Sequence, residues 1–214
     1  MTTSPRTNGF SKVKHLNGTK AHSAASYFAD VAGVSTRLPY AMIDRVTEVL
    51  YKAYLERRTV LLFGNGGSAA LASHLACDLA KGTVTTGADR FRVMALTDNI
   101  ALITAWANDS SYDDIFVEQL RNFLQPRDIA LAISGSGNSP NVLKALELAR
   151  TVGAYTIGFG GYQGGKMKPL CDLCIVVPSE NMQIIEDLHL SIAHCVFRAV
   201  RAQITQASAL AARV

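Results

Sequence analysis

The chain has 214 residues, enough for one α/β domain with appended helices and too few for two well-filled domains. Hydrophobic residues make up 49% and charged residues 18%, which excludes a disordered chain. The formal charge of +4, partly carried by Arg6, Lys12, Lys14 and Lys20, forms no basic stripe with interleaved aromatics and so predicts no nucleic-acid partner. No apolar run is long enough to span a bilayer and no secretory hydrophobic segment opens the chain, which predicts a cytoplasmic protein with no membrane partner.

Residues 1–20, rich in Thr, Ser, Asn and Gly, read as a flexible arm, and residues 21–214 as a single domain. Helical spacing of apolar residues runs over 22–32 and 40–57, separated at Pro39. An alternation follows: strand 60–63, helix 69–80, strand 92–96, helices 99–107 and 113–123, strand 129–133, helix 139–151, strand 154–159, a glycine-rich turn, strand 173–177 and helix 183–204. Such alternation predicts a three-layer α/β fold on a parallel sheet, with right-handed crossovers and ligands beyond the carboxyl ends of the strands. The four cysteines, Cys77, Cys171, Cys174 and Cys195, lie in apolar segments and read as reduced core thiols. Cys171 and Cys174 have a dithiol spacing but no second pair to complete a zinc site.

Two strands run directly into small glycine loops. Val60–Phe63 leads to Gly64, Asn65, Gly66, Gly67 and Ser68; Ile129–Ile133 leads to Ser134, Gly135, Ser136, Gly137, Asn138 and Ser139. Glycine permits close backbone approach, serine adds a hydroxyl, and a helix start presents unpaired N–H groups with positive dipole, a combination suited to phosphate. Neither loop has the dinucleotide spacing or the Gly-Lys-Ser/Thr ending of a nucleotide loop. A small phosphorylated metabolite is the better fit, bound by backbone amides with Ser68, Ser134, Ser136 and Ser139.

Other polar groups set in apolar stretches need partners. His74 and Asp78, at i and i+4, share one helix face. On the last helix Glu186, His189 and His194 interrupt an apolar run. Glu186 and His189 are neighbours at i and i+3, whereas Glu186 and His194 stand ~12 Å apart along the axis at ~1.5 Å per residue. Two histidines and two carboxylates suit zinc or another divalent ion. Asp98 follows a strand end, where it caps a helix or bonds sugar hydroxyls. Asn108 and Asp109 read as a helix end and Tyr112–Asp114 as a capped helix start. Trp106 reads as packing.

The two loops together with the closing turn Gly164–Met167 resemble the sugar isomerase (SIS) family, and within it the phosphoheptose isomerase branch, over residues 40–204. The resemblance implies a flavodoxin-like SIS domain, a homotetramer, and interconversion of sedoheptulose 7-phosphate with D-glycero-D-manno-heptose 7-phosphate, often with zinc. By family position the metal ligands are His74, Asp78, Glu186 and His194; Asp78 is the base, ahead of Glu186, and His194 the acid–base group. Substrate contacts fall on Asn65, Gly66, Gly67, Ser68, Asp98, Asn108, Asp109, Ser134, Gly135, Ser136, Asn138, Ser139 and Lys166. The chain departs from the family pattern twice, with Asp78 in place of Glu and Glu186 in place of Gln. Some SIS proteins bind sugar phosphates without turnover, as regulators or as a replication-initiator-binding protein, and that is the alternative reading; no helix-turn-helix segment is evident here.

Overall fold

The structure is a computed structural model and describes residues 23–212, so the arm expected over residues 1–20 lies outside the described residues. Helices α1 (Ala24–Ser35) and α2 (Tyr40–Leu55) come first, with the Ser23 side chain capping α1 by accepting from the Ser26 N–H at 3.1 Å. Strand β1 (Val60–Gly64) leads into α3 (Gly67–Cys77). Next come β2 (Val93–Ala95), α4 (Ile100–Asp109), α5 (Val117–Phe123), β3 (Ile129–Ser134) and α6 (Pro140–Val152). The chain ends with β4 (Tyr155–Gly160), β5 (Leu173–Val176) and α7 (Met182–Ala211).

All strand pairings are parallel, in the order β2-β1-β3-β4-β5. That is the flavodoxin-like order, and its topological switch point lies between β1 and β3. Those are the two strands that carry the glycine loops, and Gly64 pairs in register with Ile133. Both loops therefore open side by side at the carboxyl edge.

Alternate strand residues fill two cores. Leu62, Leu131, Ile133, Ile157 and Phe159 pack with α2, α3 and α7 on one face. Leu61, Phe63, Ala130 and Ala132 pack with α5 and α6 on the other. Every residue of β1 and β3 is buried, so these two strands read as continuous apolar runs rather than alternating ones. Trp106 packs half-buried against the second core, as expected.

Several boundaries differ from the sequence expectation. The helix expected over 69–80 begins at Gly67 and widens at Asp78 into a π-helical turn, Asp78–Gly82. Gly82, at its end, is pressed against the Phe197 ring, leaving no room for a Cβ. Residues 113–116 do not continue α5, because Tyr112–Asp114 form a 3-10 turn capped by Ser111. Gly160 extends β4 by one residue past the strand expected over 154–159. Two of the cysteines also depart from expectation: Cys77 and Cys195 are exposed, since each falls on the outer side of its helix, while Cys171 and Cys174 are half-buried; all four are free thiols. Among the described residues no helix is long and apolar enough to cross a membrane.

Candidate active site

Helix α7 lies across the mouths of both glycine loops, and it does so closely. A Cβ on Gly67 would stand 2.9 Å from the Glu186 Oε1; one on Gly135 would collide with the Met182 sulfur, and one on Gly161 with the Ile185 side chain. The glycines there serve helix packing as well as ligand approach. The amino end of α7 is fixed by Asn181, whose side chain accepts from the Gln183 and Ile184 N–H groups at 3.0 and 3.3 Å.

Within the second loop, Ser134 Oγ accepts from the Gly137 N–H at 3.2 Å and Ser136 Oγ from the Asn138 N–H at 3.2 Å. The Asn138 amide donates to the Ser136 carbonyl at 2.9 Å and accepts from the Lys166 N–H at 3.1 Å, which ties the closing turn onto the loop. Ser139 caps α6 ahead of Pro140, its carbonyl accepting from Val142 and Leu143 at 3.0 Å each. Ser136 and Ser139 are half-buried and Asn138 is exposed, so the loop faces outward.

In the first loop Gly66 and Gly67 are exposed and Ser68 is buried. The Asn65 amide forms a reciprocal pair with Asn141, 2.9 Å in each direction, and accepts from the Tyr112 hydroxyl at 3.1 Å. Its side chain thus knits the two loops together, which leaves backbone rather than amide for a ligand. Sequence reading missed Asn141 and Tyr112, because both sit in segments that read as ordinary helix starts. Among the described residues the Asn108 side chain donates only to the adjacent Asp109, at 2.7 Å, on the exposed end of α4. The Asp98 carboxylate accepts from Ser73, the residue before His74.

His74 and His194 arrive from α3 and α7 with their Nε2 atoms 3.0 Å apart and rings 5.0 Å between centroids. Asp78 Oδ2 lies 3.5 Å from the His74 Nε2 and 3.8 Å from the His194 Nε2. All three donor atoms lie within 4.8 Å of one another. Ligand atoms at zinc distances of ~2.0–2.2 Å in a tetrahedron stand about 3.4 Å apart, and the observed separations bracket that value. The chemistry of the set, two imidazoles and a carboxylate with an open side, fits a catalytic divalent ion. Glu186 stands outside this group. Its carboxylate rests on Gly67, the first residue of α3, where the positive end of the helix dipole favours an anion.

A cavity of about 580 Å³ at the amino ends of the strands, lined by Arg45, Arg58, Arg127, Glu56 and Tyr155 among others, lies at the opposite edge of the sheet from these loops. Its cations are largely paired already, with Glu56 accepting from Arg127 at 2.5 Å.

Comparison with known proteins agrees with this architecture. A profile of the SIS domain matches residues 26–161. Phosphoheptose isomerase of Paramagnetospirillum magneticum is 38% identical over 172 residues, covering 80% of this chain and 88% of that protein. The Rhodospirillum rubrum phosphoheptose isomerase is 46% identical over 135 residues, 63% of this chain and 71% of that protein. The structure of a phosphoheptose isomerase from Francisella tularensis superposes with a TM-score of 0.78 at 28% identity, covering 83% of this chain and 96% of that one. The chain therefore belongs to the SIS domain family and, within it, to the phosphoheptose isomerases.

Proposed function

We propose that this protein interconverts sedoheptulose 7-phosphate and D-glycero-D-manno-heptose 7-phosphate through an enediol. The observation that carries the reading is the convergence of His74 and Asp78, from α3 and the turn that extends it, with His194 of α7, the helix that covers both glycine loops.

A phosphate takes the second loop. The first is unsuited to it, because Glu186 already places a carboxylate at the start of α3 and two anions there would repel each other. Ser134, Ser136, Ser139 and the loop amides hold the phosphate, with Lys166 and Asn138 closing over it. Gly66, Gly67, Ser68 and Glu186 face the sugar hydroxyls, and Asp98, Asn108 and Asp109 border them. Binding energy from the phosphate then aligns the reacting carbons.

Both close approaches of Asp78 to the imidazoles use the same oxygen, Oδ2, leaving Oδ1 to take the carbon-bound proton. His194 serves the sugar oxygens, delivering and removing protons as the carbonyl moves. A second carboxylate, Glu186, is favoured as base by one observation: among the described residues it has no hydrogen-bond or ion-pair partner. His74, His194 and Asp78 would hold zinc or another divalent ion, with Glu186 as a further carboxylate nearby. A bound ion there supplies positive charge to the developing enediolate oxygen.

The site is open on its outer side, with His74 and His194 about half exposed. Beside it α4 buries none of its residues and leaves Ile100 71% exposed. An apolar helix in that state calls for a neighbouring copy, in keeping with a homotetramer.

Incubation with sedoheptulose 7-phosphate in deuterated water tests the reading. The wild type is expected to give aldose labelled at C2, and Asp78→Asn to abolish the label without unfolding. Tight binding of the sugar phosphate with no turnover would move the protein to the regulatory class.

A further inference from the structure

His189 sits on α7 between Glu186 and His194, yet it belongs to neither the loops nor the metal-ligating cluster. It is 1% exposed, its ring lies 5.9 Å from that of Phe159, and its Nε2 is 2.9 Å from the Gly160 carbonyl at the end of β4. A carbonyl only accepts, so Nε2 carries the hydrogen. Burial pushes the imidazole pKa down to about 4, and Nδ1 is buried with no partner among the described residues. Burying a half-satisfied ring costs free energy that a leucine at the same place would not. Packing alone does not call for it.

Gly160 is where the chains around the site meet. Its carbonyl also accepts from the Val177 N–H at 2.9 Å, it pairs in register with Ser134, and the next N–H, of Gly161, donates to the Gly135 carbonyl at 2.9 Å. The His189 bond thus joins the helix that carries Glu186 and His194 to the backbone that supports the anion loop.

The geometry points to His189 as a positioning residue whose Nε2–H bond to Gly160 fixes the rotation and height of α7 over the glycine loops. That bond sets where His194 and Glu186 stand relative to the bound phosphate. Displacements of ~1 Å at reacting groups cost large factors in rate, so a single hydrogen bond at this point of the helix matters to chemistry more than to folding. The kinetic arm of this inference rests on the isomerase reading; the metal arm does not.

The test compares His189→Leu, which fills space without a donor, His189→Gln, which keeps a side-chain N–H, and Leu188→Ala, a buried change on the same helix. Each is assayed for melting temperature, cobalt(II) affinity, inorganic phosphate affinity, and kcat and KM on sedoheptulose 7-phosphate. The Leu variant is expected to lose about 10- to 100-fold in kcat and about tenfold in cobalt affinity, with phosphate affinity within about twofold of wild type. The Gln variant is expected to recover most of both, and Leu188→Ala to lower the melting temperature without either loss. If the Leu variant does not fold, His189→Asn, too short to reach Gly160, takes its place. Wild-type kcat and cobalt affinity in the donor-less variant would overturn the inference, as would equal losses in Leu188→Ala or no recovery in the Gln variant. A wild type inert toward the sugar would sink the isomerase reading, and the cobalt comparison would then decide the positioning role by itself.

Discussion

The Nε2 atoms of His74 and His194 face each other at 3.0 Å across two helices, although the residues are 120 positions apart in sequence. At that distance one ring nitrogen donates to the other, or both lone pairs meet a cation placed between them. Asp78 beside them supplies the negative charge that makes the cation the natural occupant.

Metal content follows from that geometry. The purified protein is expected to carry about one divalent ion per subunit, with His74→Ala and His194→Ala each weakening zinc affinity by at least about tenfold. Elemental analysis after gel filtration checks it. Stoichiometric zinc in both variants would remove the cluster from the metal site.

The two carboxylates separate by what they lose. Asp78→Asn is expected to lower label incorporation by about 10²- to 10⁴-fold, the usual worth of a positioned base, whereas Asp78→Glu, which restores the family's longer side chain, retains activity. Glu186→Gln, which restores the family's amide, is expected to raise KM and leave most of kcat. Loss of all labelling in Glu186→Gln with Asp78→Asn still active would transfer the base role to Glu186.

Phosphate anchoring is expected on the second glycine loop alone. Ser136→Ala is expected to raise KM for the sugar phosphate by about 5- to 30-fold, the size of a lost hydrogen bond to a charged group, and to weaken inorganic phosphate alike. Gly67→Ala is expected to leave inorganic phosphate affinity untouched while raising KM for the sugar phosphate, because the added methyl displaces the Glu186 carboxylate 2.9 Å away. Titration calorimetry with inorganic phosphate distinguishes the two.

Stability should fall on the acid side through His189. Its folded pKa is depressed to about 4 by burial, below the unfolded value of 6.5, so between those values the unfolded chain binds the extra proton. Stability is therefore full above pH 6.5 and declines as the pH drops toward 4, by about 3 kcal/mol from this group. Denaturant midpoints measured across that range should slope less in His189→Leu than in the wild type; parallel slopes would show that the ring does not titrate on unfolding.

The amino-acid sequence determined much by itself. Five apolar runs gave the parallel sheet, two glycine loops marked the carboxyl edge, and the four-residue spacing of His74 and Asp78 put both on one helical face, because these depend on local periodicity and backbone sterics. Helix ends were less legible: nothing local announces that α3 widens at Asp78 into a turn that ends with Gly82 against Phe197 on α7. Only the tertiary structure decided the course of α7 over both loops. The family resemblance suggested Glu186 as a partner of His194 against the helical spacing, and packing laid its carboxylate on Gly67 and drove His189 into the sheet against Gly160. Those contacts join residues far apart in the chain, and long-range pairings are set by how whole faces fit together, which no window of sequence contains.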